Sequence, residues 1–304
     1  MQNTNRCSLF FVLSFIIVTV AYAQPCRAQD ESADAVLEPS EAQNDQETPS
    51  EKKLTATELA KASQNPIADM ISLPVRNTTN FGASPDHNKI QNLVTLSPLI
   101  PIKLTSNWNL ITRTVIPILY QPALTPGGSR EFGVSDINVT AWVARSESRR
   151  LIWGLGPTIF LPTAMEKTLG TGKWSAGPSI AMVAQPKNWV LGFLAYNVWS
   201  FAGYKDRASV NQLLLQTFVN YNLPKGWYLT TAPFLSANWK LPNDDRWMVP
   251  AGGGFGKIVR TKRLTLDLQT QGFYYVQRPR SESKWSLLMQ LKFLFPKTLG
   301  RDEI

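Results

Sequence analysis

Every second residue of the segment 285–295 is apolar. The apolar face carries Trp285, Leu287, Met289, Leu291, Phe293 and Phe295. The opposite face includes Ser286, Gln290 and Lys292. A period of two is typical of a β-strand with one apolar and one polar side, and a tilted strand crosses the hydrocarbon layer of a membrane in roughly 9–11 residues. The pattern predicts a transmembrane strand in this segment.

Weaker alternation recurs from residue 68 onward, in segments separated by turn-rich breaks. Twelve strands are predicted, at 68–81, 90–104, 108–121, 132–144, 151–161, 174–184, 189–201, 211–223, 227–240, 247–258, 264–276 and 285–295. We therefore expect an all-β fold, namely a transmembrane antiparallel up-and-down β-barrel of about 12 strands with a disordered N-terminal leader. The alternative is a soluble antiparallel sandwich, because its strands alternate for the same physical reason.

The predicted connectors favour the barrel because they alternate in length. Breaks of three to six residues alternate with breaks of six to twelve residues along the chain. In outer-membrane barrels the short turns face the periplasm and the long loops face outward. A sandwich has no physical reason to keep this alternation.

The ten tryptophans also favour the barrel, because all are predicted to lie near strand ends. Five flank short turns: Trp108, Trp142, Trp153, Trp189 and Trp227. Five flank long loops: Trp174, Trp199, Trp239, Trp247 and Trp285. An indole prefers the level of the lipid headgroups, so two rims of tryptophan are expected to form aromatic girdles.

Seven prolines fall inside the predicted strands: Pro98, Pro101, Pro117, Pro157, Pro178, Pro233 and Pro250. Each removes one hydrogen-bond donor from the sheet. The sequence therefore predicts bulges or kinks at these positions, unless the strand limits differ by several residues.

The N-terminal region has the composition of an exported protein. Arg6 precedes an apolar run at 9–20, and Ala21-Tyr22-Ala23 matches a signal-peptidase site, with cleavage after Ala28 as the alternative. The run is too short for a membrane-spanning helix, which needs about 20 residues. We divide the chain into a signal peptide (1–23), an acidic flexible periplasmic leader ending in a short helix at 56–63 (24–66), the barrel (67–296) and a C-terminal tail (297–304).

The chain carries a formal net charge of +9 and two cysteines, Cys7 and Cys26. Neither cysteine lies in the predicted barrel, so no disulfide is expected to support it. The basic residues are scattered singly, and no nucleic acid partner is expected for an exported chain. Anionic lipopolysaccharide outside, or anionic solutes inside a pore, are the expected partners of this charge.

Few residues point to catalysis or to a cofactor. The single histidine, His87, is predicted in an exposed loop without the serine and acid geometry of a lipase. The run Gly252-Gly253-Gly254-Phe255-Gly256 lacks the following helix and the Gly-Lys-Ser/Thr of a phosphate loop, and predicts curvature or close packing instead. We expect no catalytic residue, no metal site, no cofactor and no enzymatic activity.

Polar residues on the alternating faces are predicted to line the barrel lumen. The candidates are Arg113, Asp136, Asn138, Gln212, Gln216, Asp267, Gln269, Gln290 and Lys292. They line a solute path in one interpretation and satisfy one another inside a plugged barrel in the other. About eight strands leave a filled interior and sixteen leave an open channel, so twelve strands do not decide between the two.

Six segments, taken in order, resemble a known family: 65–74, 108–114, 132–138, 169–178, 197–203 and 218–224. The series is similar to the proteobacterial outer-membrane family associated with the MetA pathway of phenol degradation. The resemblance implies an outer-membrane protein that passes small organic molecules. Together with the basic excess, it leads us to expect a porin-like channel in the outer membrane of a Gram-negative bacterium, for passive passage of small solutes, aromatic or anionic ones included. It implies no catalytic residues.

The alternative function is a non-conducting structural or binding barrel whose loops contact lipopolysaccharide or a partner. In either case the barrel assembly machinery is an expected partner. The aromatic residue that such machinery reads is often the last of the chain, whereas Phe295 is followed by nine residues.

Overall fold

The computed structural model describes residues 56–84, 88–123, 128–145, 151–261, 264–280 and 282–295. These residues belong to one compact unit of the chain. The predicted signal peptide, most of the predicted leader, His87 and the predicted C-terminal tail lie outside the described residues.

The described residues form fifteen strand segments and two α-helices, with a single 3-10 turn at Pro224–Gly226. The helices are α1 (Ala56–Gln64) and α2 (Asn243–Arg246). The strand segments are β1 (Ile71–Ala83), β2 (Lys89–Leu96), β3 (Leu99–Lys103), β4 (Trp108–Gln121), β5 (Glu131–Val134), β6 (Ile137–Arg145), β7 (Leu151–Leu161), β8 (Lys173–Ala184), β9 (Trp189–Gly203), β10 (Asn211–Asn222), β11 (Trp227–Thr231), β12 (Phe234–Asn238), β13 (Trp247–Arg260), β14 (Thr265–Gln277) and β15 (Trp285–Phe295).

These segments make one closed antiparallel barrel of twelve strands. Three pairs of segments, β2 with β3, β5 with β6, and β11 with β12, are single strands with a two-residue interruption. The barrel closes where β1 pairs with β15 over eleven consecutive positions, from Ile71 opposite Phe295 to Phe81 opposite Trp285. The predicted fold class, strand number and strand order are therefore confirmed.

Five of the seven prolines lie where the regular pairing of strands fails, as predicted, whereas Pro101 and Pro117 have partners in continuous registers, opposite Ile111 and Thr95. Pro98 and Pro233 fall in the interruptions between β2 and β3 and between β11 and β12. Pro157 lies opposite Pro178 in a part of the wall where the β6–β7 and β8–β9 ladders also miss pairs. Pro250 stands at a register shift between β13 and β14. The barrel thus tolerates missing donors at local breaks and remains closed.

The two faces of the wall differ as the alternation predicts. In β15, Trp285, Met289 and Phe295 are exposed on the outside, whereas Ser286 and Gln290 are buried on the inside. Exposed apolar side chains continue around the outer face of the other strands. A closed barrel with an apolar outer face is the architecture of a transmembrane barrel. Among the described residues, no helix has the length and apolar character to cross a membrane.

Tryptophans mark both rims of the outer face. We call the rim with connectors 104–107, 185–188 and 223–226 the turn end, and the rim with connectors 162–172, 204–210 and 239–246 the loop end. Aromatic pairs lie at both: Trp108 with Trp153 (ring centroids 6.0 Å apart) and Trp189 with Tyr221 (4.7 Å) at the turn end, Trp239 with Trp247 (5.6 Å) and Trp285 with Tyr274 (4.7 Å) at the loop end. Trp174, Trp199 and Trp227 are exposed near strand ends. This placement is that of an aromatic girdle.

Trp142 does not belong to a rim, and the prediction for this residue is wrong. Its side chain is 0% exposed and lies on the inner face of β6. The indole N–H passes over Gly154 of β7 and donates to Ser179 Oγ of β8 at 2.9 Å. The neighbouring Ala141 and Val143 take the outer face, so the alternation itself placed Trp142 inside.

The glycine run lies in β13 and makes room on the inner wall. A Cβ at Gly256 would lie 2.2 Å from the ring of Tyr228. The Tyr228 ring therefore lies flat against the wall at Gly256, where it forms part of the surface on which α1 packs. The predicted close packing is confirmed at this position.

Replacing Gly256 with alanine should destabilise the barrel by about 1–3 kcal/mol, the usual cost of overpacking, because the Tyr228 ring must move. Gly272→Ala is the matched control, since a Cβ there has no neighbour within 4 Å. The measurement is the urea midpoint of unfolding in lipid vesicles. Equal midpoints for the two variants would contradict the packing described.

Trp142→Ala should lower the free energy of unfolding by about 3–5 kcal/mol, because it leaves a cavity in the lumen. Trp199→Ala, on the exposed loop rim, should cost less. The temperature at which the compact band disappears in heat-modifiability gels compares the two, and a larger loss for Trp199→Ala would disprove the assignment of Trp142 to the interior.

Candidate functional site

The inner wall of the barrel is divided into an apolar half and a polar half. The apolar half, contributed mainly by β3, β4, β6 and β8 to β10, contains Leu99, Ile111, Trp142, Ala144, Ala181, Val183, Val190, Leu194 and Phe218. The polar half lies on β1, β14 and β15. Alternation predicts only the polar half from the sequence. It does not reveal the apolar half, because β8 and β9 carry apolar residues on both faces.

A cavity of about 100 Å³ lies within the barrel between these two halves. Six of the nine predicted pore-lining residues line it: Arg113, Gln216, Asp267, Gln269, Gln290 and Lys292. Leu99 and Phe218 from the apolar half also line it. The cavity thus offers both charged and apolar surface to one small molecule.

Three basic side chains converge on this cavity, and we call Arg76, Arg113 and Lys292 the cation cluster. Arg76 and Arg113 repel each other, and Lys292 is attracted by Asp267 and repelled by the two arginines. Asp267 is the single acidic residue among the described residues of the lining, which leaves three positive charges against one negative charge. Like charges held together in a confined space favour a counter-ion.

The three basic side chains differ in the hydrogen bonds and ring contacts that they make. Arg76 donates two hydrogen bonds to Gln290 Oε1, at 2.9 and 3.2 Å, and its guanidinium carbon lies 4.8 Å from the centroid of the Phe234 ring. Lys292 Nζ donates to the backbone carbonyl of Ser63 at 2.5 Å. Arg113 donates no side-chain hydrogen bond to any residue in the described part of the chain. Tyr196 acts on its guanidinium electrostatically, but no hydrogen bond within the described residues occupies the guanidinium donors.

Sequence reasoning missed Arg76, although its signal was present. Leu73 and Val75 occupy the outer face of β1, so Arg76 must point inward by alternation. The following residues, 77–80, are polar on both faces and hide the pattern.

The single acid, Asp267, anchors α1 and is 1% exposed. Its carboxylate accepts a short hydrogen bond from the Ser63 hydroxyl and another from the Tyr228 hydroxyl at 2.5 Å. Gln64 Nε2 adds a hydrogen bond to Asn222 Oδ1 at 2.9 Å. The last residues of α1 are thereby held against the lumenal wall.

Apolar packing completes the set of wall contacts that hold α1, which we call the seat of α1. Leu59 and Ala60 of α1 are buried against Tyr228, Ile258 and Leu294 at the turn end of the barrel. Residues 63–66 then form one boundary of the cavity. The structure thus confirms the predicted helix and places it inside the turn end, where it covers the cavity.

The remaining predicted pore residues lie toward the loop end. Gln212 is exposed and lines a second pocket of about 380 Å³, together with Asp206 and Arg207. Asn138 lies on β6 and lines neither space.

Asp136 does not face the cavity. Its carboxylate accepts hydrogen bonds from the amides of Ala164 (3.3 Å) and Thr171 (2.6 Å) and from the Thr171 hydroxyl (2.7 Å). These bonds attach the long connector 162–172 to the wall. A buried carboxylate needs such donors, so its polarity indicates an anchor here and not a pore surface.

The described residues contain no group of three or more His, Cys, Asp or Glu side chains with the geometry to hold a metal ion. The cavity lining offers ammonium and guanidinium donors on one side and apolar surface on the other.

Comparison with known proteins gives the same architecture. The barrel is similar to the crystal structure of an outer membrane channel from Pseudomonas putida F1, with a TM-score of 0.57 and 17% identity over 74% of this chain and 94% of that chain. It is also similar to the NanC porin, with a TM-score of 0.49 and 10% identity over 74% of this chain and 100% of that one. Outer membrane phospholipase A from Escherichia coli gives a TM-score of 0.41 and 13% identity, over 75% and 97%.

No curated protein sequence matches the chain significantly. The model of one protein family matches residues 77–272, which is more than half of the chain and includes most of the barrel wall. The chain therefore belongs to the family described as putative MetA-pathway of phenol degradation.

Proposed function

We propose that the protein is a passive channel in the outer membrane of a Gram-negative bacterium, and that it favours small anionic solutes, aromatic ones included. The observation that carries this proposal is the cation cluster, Arg76, Arg113 and Lys292, on the cavity inside a closed barrel. With Asp267 as the single acid in the described lining, the lumen attracts anions and repels cations.

The divided inner wall supports aromatic anions among these solutes. Phe218, Leu99 and Arg113 line the same cavity, so a ring that enters the lumen meets apolar surface while its carboxylate faces Arg113. Binding sites for small molecules commonly combine apolar surface with a few polar groups that fix orientation. The family description names the degradation of phenol, an aromatic compound, which is consistent with such a solute.

Passage rather than catalysis is the role that the lining supports. It contains one acidic residue and no histidine among the described residues, and the acid is engaged by Ser63 and Tyr228. A hydrolase needs a nucleophile with a base in hydrogen-bond reach. We therefore propose no enzymatic activity and no cofactor.

The second candidate is a non-conducting structural or binding barrel. One observation favours it: α1 covers the cavity at the turn end, and the cavity itself measures about 100 Å³. In this interpretation the lumenal polar groups satisfy one another and the long loops contact lipopolysaccharide or a partner.

The outer face of the barrel indicates which molecules contact it in the membrane. We propose that the apolar face contacts membrane lipid, with the tryptophan rims at headgroup level. Lys257, on the outer face, lies 4.8 Å from the Trp227 ring, where an ammonium group can reach lipid phosphates. We also propose that the barrel assembly machinery recognises β15, including Phe295.

Neutralising one member of the cation cluster should weaken anion preference. A unit charge at about 7 Å changes the energy of a passing ion by about 0.6 kcal/mol at a dielectric constant of about 80, a factor of about three. Chloride loses this energy and potassium gains it, so Arg113→Gln should lower the chloride to potassium permeability ratio by about 1.2 kcal/mol, or roughly sevenfold, in planar bilayers. Lys257→Gln is the control, because its charge lies on the outer face, and its ratio should remain that of the parent. A cation-selective parent channel would refute the proposed preference.

Solute uptake should separate the channel from the non-conducting barrel. Liposomes containing the mature chain should take up radiolabelled benzenesulfonate faster than phenyltrimethylammonium, an ion of similar size and opposite charge, because the cluster repels the cation. Uptake of both at the rate of protein-free liposomes would favour the non-conducting barrel.

A further inference from the structure

The end of α1 already occupies part of the cation cluster. The Ser63 carbonyl oxygen accepts a hydrogen bond from Lys292 Nζ at 2.5 Å, and residues 63–66 form one boundary of the cavity that Arg76 and Arg113 also line. Ser63 is the penultimate residue of α1, so this carbonyl is one that the helix itself cannot satisfy.

The C-terminus of a helix carries a partial negative charge because its carbonyls point out along the axis. Lys292 therefore binds the partial negative charge of this carbonyl. Asp267, its neighbour across the β14–β15 pair, attracts Lys292 electrostatically, but the hydrogen bonds of its carboxylate come from Ser63 and Tyr228. A free carboxylate carries a full charge and makes stronger, charge-assisted hydrogen bonds with the same ammonium. Such a carboxylate competes directly with the end of α1.

The seat of α1 is weak enough for this competition to matter. A helix of nine residues is too short to be stable alone in water, where about 12–15 residues are needed, so α1 depends on its contacts with the wall. Those contacts include the small apolar group around Leu59 and Ala60 and the polar bonds of Lys61, Ser63 and Gln64. Loss of the Lys292 bond removes one of these polar contacts, at the end of α1 that borders the cavity.

We propose that the cation cluster is a carboxylate-binding site whose resting occupant is the C-terminal carbonyl of α1, and that a small aromatic carboxylate which binds there releases α1 and opens the turn end. The proposal rests on the proposed channel function and adds that the solute opens its own path. Arg113, which has no side-chain hydrogen bond in the described part of the chain, receives the carboxylate first, and Lys292 exchanges the Ser63 carbonyl for it. The ring packs on Phe218 and Leu99.

The size of the cavity is consistent with this order of events. At about 100 Å³ it holds several water molecules, each of which needs about 10–15 Å³ by the same measure, but it leaves little room for a substituted ring. Because residues 63–66 form its boundary toward the turn end, the cavity enlarges when they move. Binding and movement of α1 are therefore coupled.

The experiment uses the mature chain in planar bilayers with benzoate as probe and benzamide as its uncharged analogue. In a Cys26→Ser background, Gln64→Cys and Asn222→Cys are joined by a short thiol-specific cross-linker that a reductant cleaves, since their parent side chains already touch. The cross-link fixes α1 in its seat without altering the cation cluster.

Benzoate should raise the chloride conductance of the reduced protein roughly tenfold, benzamide should not, and the cross-link should abolish the response until reductant is added. Benzoate should also speed modification of Gln64→Cys by a thiol reagent roughly tenfold in the protein without the partner cysteine, which reports movement of α1 independently of current. Lys292→Gln should raise the basal conductance and reduce the response, whereas Lys257→Gln should leave both unchanged.

A response that persists in the cross-linked protein, or an equal response to benzamide, would overturn the proposal while leaving a conducting channel. Conductance that is independent of benzoate in all variants would overturn it in the same way. Absence of conductance both in the parent and in a chain without residues 24–66 would instead refute the channel function. Heat-modifiable migration of each variant confirms that the barrel is folded.

Discussion

The hydrocarbon layer offers no water to unpaired peptide groups, and this constraint determines the rest of the structure. The pairing of β1 with β15 removes the two edges that an open sheet would expose. Once the barrel is closed, strict alternation decides which side chains meet lipid and which meet the lumen. Pro98 and Pro233 are tolerated because they lie at local interruptions of a strand and do not open the ring.

Closure also explains why the lumen can hold like charges together. Arg76, Arg113 and Lys292 lie on three different strands, and the register of the wall, not their mutual attraction, brings them to one cavity. The protein offsets part of this repulsion with Gln290, the Phe234 ring and the Ser63 carbonyl. The apolar half of the wall, opposite the cation cluster, offers little hydration. The three positive charges therefore act on any solute that enters between the two halves.

The alternation of apolar and polar residues predicts the face that each side chain takes, but it does not predict contacts between segments that are distant in the chain. Strand order, the rims and six lumenal residues followed from alternation. The position of Trp142 near a turn suggests a rim, but its position between Ala141 and Val143, which face outward, places it inside the barrel. Asp136 was assigned to the pore because polarity alone does not distinguish a pore surface from a loop anchor, and its partners in 162–172 are 28 and more residues away. The seat of α1 could not be predicted, since it is made by side chains of β10, β11, β13, β14 and β15.

That seat has a consequence for the order in which the molecule is assembled. The helix is made before any strand of the barrel, yet Asp267, Lys292 and Leu294, which hold it, belong to the last two strands. Contacts between such distant parts of a chain form late, because a long loop must close first. The lumen therefore remains uncovered until β15 joins β1, and α1 takes its place only in a barrel whose wall is complete.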